Sequence, residues 1–155
     1  MIESRFVAQA LGHSLKDFSR TFSTITTDSR KITPKCLFVA IAGDKFDGHE
    51  FIDQAIAAGA AGVVCRFGTT VKGSAQVFEV KDTLIAIRLI ANAWRKKFSI
   101  PVIAVAGSTG KTTTKEFLSA LLHGKWQNVL KTEKNQNGFL GVAMTLLELN
   151  SKHDV

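Results

Sequence analysis

Residues 100–115 read IPVIAVAGSTGKTTTK. An apolar run, residues 102–106, passes into Gly107, Ser108, Thr109, Gly110, Lys111, Thr112 and Thr113, after which Phe117, Leu118, Leu121 and Leu122 recur at helical spacing. The pattern predicts a buried strand, a glycine turn and a helix. A phosphate chain needs converging backbone N–H groups, a helix N-terminus aimed at it, a cation, and a hydroxyl for its magnesium ion. Gly107 and Gly110 let the backbone approach closely, Lys111 supplies the charge and Thr112 the hydroxyl. The usual eight-residue phosphate loop would have a glycine where Val105 stands, so the match is to the shorter G-x-x-G-K-T-T form. In isolation these seven residues fit a plain strand-to-helix turn equally well. The strand before them and the helix after them favour phosphate binding.

Outward from this loop, composition bounds the rest. The chain has 155 residues, enough for one domain or two small ones. Its 45% hydrophobic and 21% charged residues suit a globular protein. The N-terminal stretch carries charge throughout and does not read as a secretory signal. The most apolar run, residues 55–65, is mostly Ala and Gly and far shorter than the roughly 20 residues of a spanning helix. No membrane association and a cytoplasmic location are therefore expected. Cys36 and Cys65 fall in apolar runs, where a buried free thiol is expected.

The net charge of +7 is uneven: residues 82–155 hold ten Lys/Arg against five Asp/Glu, whereas residues 1–81 hold ten against eight. A basic phosphate-loop half suits a polyphosphate ligand and also nucleic acid. The cations are scattered with no interleaved aromatic platform, so nucleic acid is not expected.

In chain order, a short helix is expected over residues 4–12, ended by Gly12, and a strand over 22–26. A polar turn at Thr27, Asp28, Ser29 and Arg30 precedes an apolar strand over residues 36–41. A glycine-rich loop, residues 43–49, leads to a helix over 50–58 that Gly59 stops. Strands follow at 62–65 and 76–80, then a helix over 82–97 with Asp82 as its cap. Beyond the phosphate-loop helix, a strand over 127–132 and a last helix through Leu149 are expected. The fold class is α/β, with a module over residues 1–81 and a second, incomplete one over 82–155.

Three stretches, residues 28–64, 104–122 and 131–149, together resemble the N-terminal part of a Mur ligase. Within that family, Lys115-Glu116 after the phosphate loop and Asn135-x-Asn137 running into GVAMTLL are similar to the MurF branch, which adds D-alanyl-D-alanine to UDP-N-acetylmuramoyl-tripeptide. The resemblance implies a first domain that holds the UDP part of the substrate. It implies a central domain that uses ATP and Mg2+ to form an acyl phosphate for the dipeptide amine to attack. On this basis Gly107, Ser108, Thr109, Gly110, Lys111, Thr112 and Thr113 would bind ATP, with Lys111 catalytic and Thr112 the metal ligand. Ser29, Arg30, Lys45, Phe46, Asp47, Gly48 and His49 would bind the UDP moiety, and Asn135 and Asn137 would line the cleft. Ser29 also reads as a turn residue, Arg30 as a surface cation, and His49 equally as a helix cap.

Departures from the family pattern accompany the resemblance. Family members commonly have glycine at the positions of Lys35 and Lys134, asparagine at Gly138 and proline at Ala143. Glycine at the first two suggests a backbone conformation that lysine adopts less readily. The later catalytic segments of Mur ligases have no counterpart in these 155 residues. Either the chain is the N-terminal part of a full-length ligase, or it is a short, non-ligating derivative. For the latter, an unpaired sheet edge predicts a homodimer or a protein partner. A phosphate-loop ATPase or kinase outside the family is a third reading.

Overall fold

Short runs of Val, Phe, Ile and Cys between Gly-, Pro- and Asp-containing turns build most of the first half of the chain. The computed structural model describes residues 1–14, 19–43, 46–133 and 138–155. Two compact units divide at Ile90 and Ala91, within a single helix.

In the first unit, β1 (Ile2–Glu3) pairs antiparallel with β2 (Thr21–Phe22), with α1 (Ser4–Ala10) between them. Four further strands, β3 (Ile25–Thr26), β4 (Leu37–Val39), β5 (Gly62–Arg66) and β6 (Gln76–Val80), form a parallel sheet in sequential order. Parallel strands need a crossover between them. The β4–β5 connection holds a 3-10 turn (Gly48–Phe51) that runs into α2 (Ile52–Ala57). The single strand expected over residues 22–26 is split, because Phe22 belongs to the small sheet and Ile25 to the large one.

Period-two alternation buries the large sheet on both sides. Cys36, Phe38, Ala40, Val63 and Cys65 pack with Ile52 and Ala55 of α2. Leu37, Val39, Val64 and Phe78 are buried as well, and the Phe78 ring meets Phe22 edge-on at 6.1 Å between centroids. Gly62 is required here: a Cβ on it would come within 2.6 Å of the Phe22 ring. Both cysteines are free and buried, as expected, and burial pushes their thiol pKa values up. Truncating Phe38 or Phe78 to alanine costs about 3–5 kcal/mol in such a core.

The helix α3 (Thr83–Arg95) starts where Asp82 Oδ1 accepts from the N–H groups of Leu84 (2.8 Å) and Ile85 (3.0 Å), the cap expected from the sequence. It buries Thr83, Ala86, Ile87 and Ile90, while Leu84 is exposed.

The second unit contains α4 (Lys111–Leu122) and α5 (Phe139–Leu147). The strands expected over residues 102–106 and 127–132 are not formed. A strand exists only where a neighbour completes its hydrogen-bond ladder. Among the described residues, none pairs with residues 102–106, and Val102 and Ile103 stay 59% and 50% exposed. Residues 128–130 lie beside the C-terminal residues, with Leu130 N–H donating to Val155 O and Asp154 N–H to Asn128 O, both at 2.9 Å. Trp94 Nε1 donates to Leu149 O at 2.9 Å. Among the described residues, no helix is long and apolar enough to cross a membrane.

Lys35 has φ +63°, the one left-handed non-glycine among the described residues. Cys36 N–H donates to Thr33 O at 3.1 Å, so Pro34 and Lys35 are the middle residues of a tight turn whose third position requires positive φ. The sequence comparison between Lys35 and glycine therefore reports a real backbone requirement. Lys35→Gly relieves about 1–2 kcal/mol of left-handed strain against a smaller cost in chain entropy. The expected result is a melting temperature higher by about 2–6 °C, with Lys35→Ala giving no gain, measured by thermal denaturation.

Candidate functional site

Parallel strands all deliver their C-terminal ends to one edge of a sheet, the edge where α/β proteins build ligand sites. In the first unit that edge carries the Asp28-Ser29-Arg30 turn after β3, the loop before α2 after β4, and Arg66 at the end of β5.

The turn after β3 is built by its own side chains. Thr26 Oγ1 accepts from Asp28 N–H at 3.2 Å, and Asp28 Oδ1 accepts from Arg30 N–H at 3.1 Å. The Arg30 guanidinium closes on the same carboxylate through Nε (2.9 Å) and a terminal nitrogen (3.0 Å) while its side chain stays 87% exposed. Ser29 opens the short 3-10 turn Ser29–Lys31 that Asp28 caps. The bidentate Arg30 pairing, helped by the backbone donor, lowers the Asp28 pKa to about 2.

The loop after β4 closes on itself and onto β5. Gly43 N–H donates to Phe46 O and Gly48 N–H to Ile41 O, both at 2.9 Å. A Cβ on Gly48 would meet the Ile41 backbone at 2.7 Å, so the loop lies tight on the strand end. Asp47 Oδ1 accepts from His49 N–H (3.0 Å) and faces His49 Nδ1 (2.5 Å), and its Oδ2 accepts from Arg66 at 2.7 Å. Arg66 N–H donates to His49 Nε2 at 3.1 Å. The two His49 bonds to its backbone and ring, with Arg66 a weaker contributor, hold the Asp47 pKa below the usual carboxylate range. It is Asp47, not His49, that caps the turn leading to α2. Phe46 projects outward, 73% exposed. Lys45, Asn135 and Asn137 lie outside the described residues.

In the second unit the phosphate-loop residues take the conformations that glycine permits. Gly107 has φ +152° and Gly110 φ +72°, the latter turning the chain directly into α4. Thr114 N–H is bonded back to Gly110 O at 2.9 Å, so the N–H groups of Lys111, Thr112 and Thr113 form the open first turn. Lys111 Nζ folds back over the loop onto the carbonyls of Gly107 and Ser108. Ser108, Thr109, Thr112 and Thr113 are exposed. A cavity of about 360 Å³ lies between residues 100–105, α4, residues 129–132 and α5, with Lys111 and Thr112 in its lining. Leu118 and Leu122 face this cavity, while Phe117 and Leu121, expected on the same side, are exposed. Lys115 donates to Thr132 O and pairs with Glu116 at 3.0 Å; Lys131 pairs with the same carboxylate. The lysine bonds lower the Glu116 pKa.

The chain thus joins a parallel α/β unit, with a built turn and loop at one sheet edge, to a lysine-bearing glycine loop heading a helix. The chain is a member of the Mur ligase family, whose catalytic domain matches residues 21–126. Within that family it is similar to the UDP-N-acetylmuramoyl-tripeptide–D-alanyl-D-alanine ligase of Synechocystis sp., at 47% identity over 135 residues that cover 85% of this chain. It spans 29% of that relative's length. The crystal structure of MurF from Acinetobacter baumannii superposes with a TM-score of 0.89 at 32% identity, covering 99% of this chain and 34% of that one. The MurF ligase of Thermotoga maritima in complex with ADP matches at a TM-score of 0.76 and 34% identity, over 84% of this chain and 30% of its own.

Arg66 was absent from the sequence-derived site. The available signal was positional: it is the first charged residue after the apolar run of β5 and therefore sits at the ligand edge.

Because the Asp28 pKa is depressed in the folded chain, its pairing stabilises the fold above the unfolded carboxylate range near 3.9 and is lost as pH falls through about 2. An NMR titration is expected to place the Asp28 midpoint near 2, and Arg30→Ala to move it back toward, but not fully to, 3.8, since the backbone donor remains.

Proposed function

We propose that this chain carries the substrate- and nucleotide-binding part of a MurF-type ligase. Such a ligase joins D-alanyl-D-alanine to UDP-N-acetylmuramoyl-tripeptide in the cytoplasm, with ATP and Mg2+. The observation that carries the reading is the loop of residues 107–113, with left-handed Gly110 at the head of α4 and Lys111 folded across it, in a chain similar to a MurF solved with ADP.

The residues fit the nucleotide. First-turn N–H groups of α4 have no intrahelical acceptor and suit phosphate oxygens. Lys111 Nζ is held by two carbonyls that phosphate oxygens would replace, which lets it neutralise charge on the transferred group. Thr112, exposed beside it, would give Mg2+ one oxygen ligand. ATP, when bound, supplies the phosphoryl group that activates the substrate carboxylate.

The module over residues 1–81 would take the UDP moiety. Ser29 and Arg30 present a hydroxyl and a pre-oriented cation, and the loop containing Lys45, Phe46, Asp47, Gly48 and His49 closes the site. Asn135 and Asn137, in the module over residues 82–155, would line the cleft toward the peptide.

Thermal shift tests both halves separately. Saturating UDP-N-acetylmuramoyl-tripeptide is expected to stabilise the chain, by about 2.7 kcal/mol at a hundredfold excess over Kd, while single-stranded oligonucleotide gives no shift. Lys111→Ala is expected to abolish the smaller shift produced by Mg2+ and ATP and to leave the UDP-substrate shift intact. An ATP shift that survives Lys111→Ala would reduce the loop to a connecting turn.

A further inference from the structure

His49 was read from the sequence either as a ligand contact or as a cap. Its geometry is a third arrangement. The ring is largely buried, with 12% of the side chain exposed, and both nitrogens are occupied. Nε2 accepts the Arg66 N–H at 3.1 Å, so it carries no proton, and Nδ1–H therefore donates to Asp47 Oδ1 at 2.5 Å. Asp47 is occupied as well: Oδ1 takes the His49 backbone and ring, and Oδ2 takes the Arg66 guanidinium at 2.7 Å. Each end of the lock rests on rigid backbone. Arg66 is the last residue of β5, in register with Val80 of β6, and Gly48 is pressed against the end of β4.

We propose that Asp47, His49 and Arg66 form a lock that fixes the β4–α2 loop to the end of β5, with His49 and Arg66 acting as positioning residues for the nucleotide-linked substrate rather than touching it. The proposal rests on the reading of this loop as part of the UDP-substrate site. The connection between β4 and α2, residues 40–51, contains Gly43 and Gly48, and a segment of that length and composition has many conformations to lose on binding. The lock holds Asp47, Gly48 and His49 in place beforehand and leaves Phe46, adjacent to Asp47 and exposed, facing outward to meet ligand. Substrate affinity should therefore depend on His49 through the strand link it accepts. A glutamine, whose side-chain oxygen lies close to the position of Nε2, can keep that link, and alanine cannot.

The test is calorimetric titration of UDP-N-acetylmuramoyl-tripeptide into the wild-type chain, His49→Ala, His49→Gln and Arg66→Ala, each first checked for folding by circular dichroism. The same samples are examined by ¹⁵N NMR of the imidazole. His49→Ala is expected to weaken binding about tenfold, the change that ordering one or two side chains produces. His49→Gln should recover most of the loss, and Arg66→Ala, which retains its backbone donor, should lose less than His49→Ala. In the wild type, Nδ1 should carry the proton both free and saturated with ligand. If His49→Ala does not fold, the glutamine and Arg66 variants and the tautomer decide. Binding unchanged in His49→Ala, or a tautomer that switches on saturation, overturns the lock alone. A wild type that does not bind overturns the substrate reading and the proposal with it.

Discussion

The first unit depends on four strands running the same way. Parallel pairing forces a crossover between each strand and the next, and every crossover leaves from the same edge of the sheet. The turn after β3, the loop after β4 and the end of β5 therefore share one rim, although Asp28, Asp47 and Arg66 are far apart in the chain. Burial of the sheet on both faces fixes its register. A one-residue slip of β4 would exchange Phe38 and Ala40 for Leu37 and Val39 on the α2 side, with different volumes against Ile52 and Ala55.

On that rim the polar residues first satisfy one another. Asp28 holds Arg30 and caps its own turn; Asp47 holds His49 and Arg66. Such self-sufficient turns are ordered without a ligand, and on the proposed reading of this rim little binding energy would go into arranging them. They also explain why charge alone is a poor guide to contact. Asp47 is charged, but each of its oxygens already has a protein partner, whereas Phe46 next to it has an apolar ring in open solvent.

The sequence was informative where a local rule sufficed. Gly12 and Gly59 end their helices with positive φ, Asp82 caps α3, and β6 begins and ends where its alternation does. At Lys35 the signal was the glycine that the resemblance implies there, and the Pro34–Lys35 turn supplies its physical reason. The sequence was misleading where structure depends on distant partners. Residues 102–106 have all the apolarity of a buried strand, but apolarity supplies no ladder, and Val102 and Ile103 remain exposed. Phe117 and Leu118 are consecutive, so a helix cannot turn both toward one neighbour, and the cavity takes Leu118.

The site shows the same division. The turn at residues 107–113 could be read because each of its features is local: two glycines with positive φ, then Lys111 and Thr112 at the head of α4. His49 could not be resolved, because its role is set by Arg66, seventeen residues later and on another element. A histidine beside an aspartate invites assignment as a cap or a ligand, and no pattern within a short window reveals that both ring nitrogens are already engaged. The partner that decides the matter is a backbone N–H. Because every residue except proline offers that group, only the fold identifies which one is in reach.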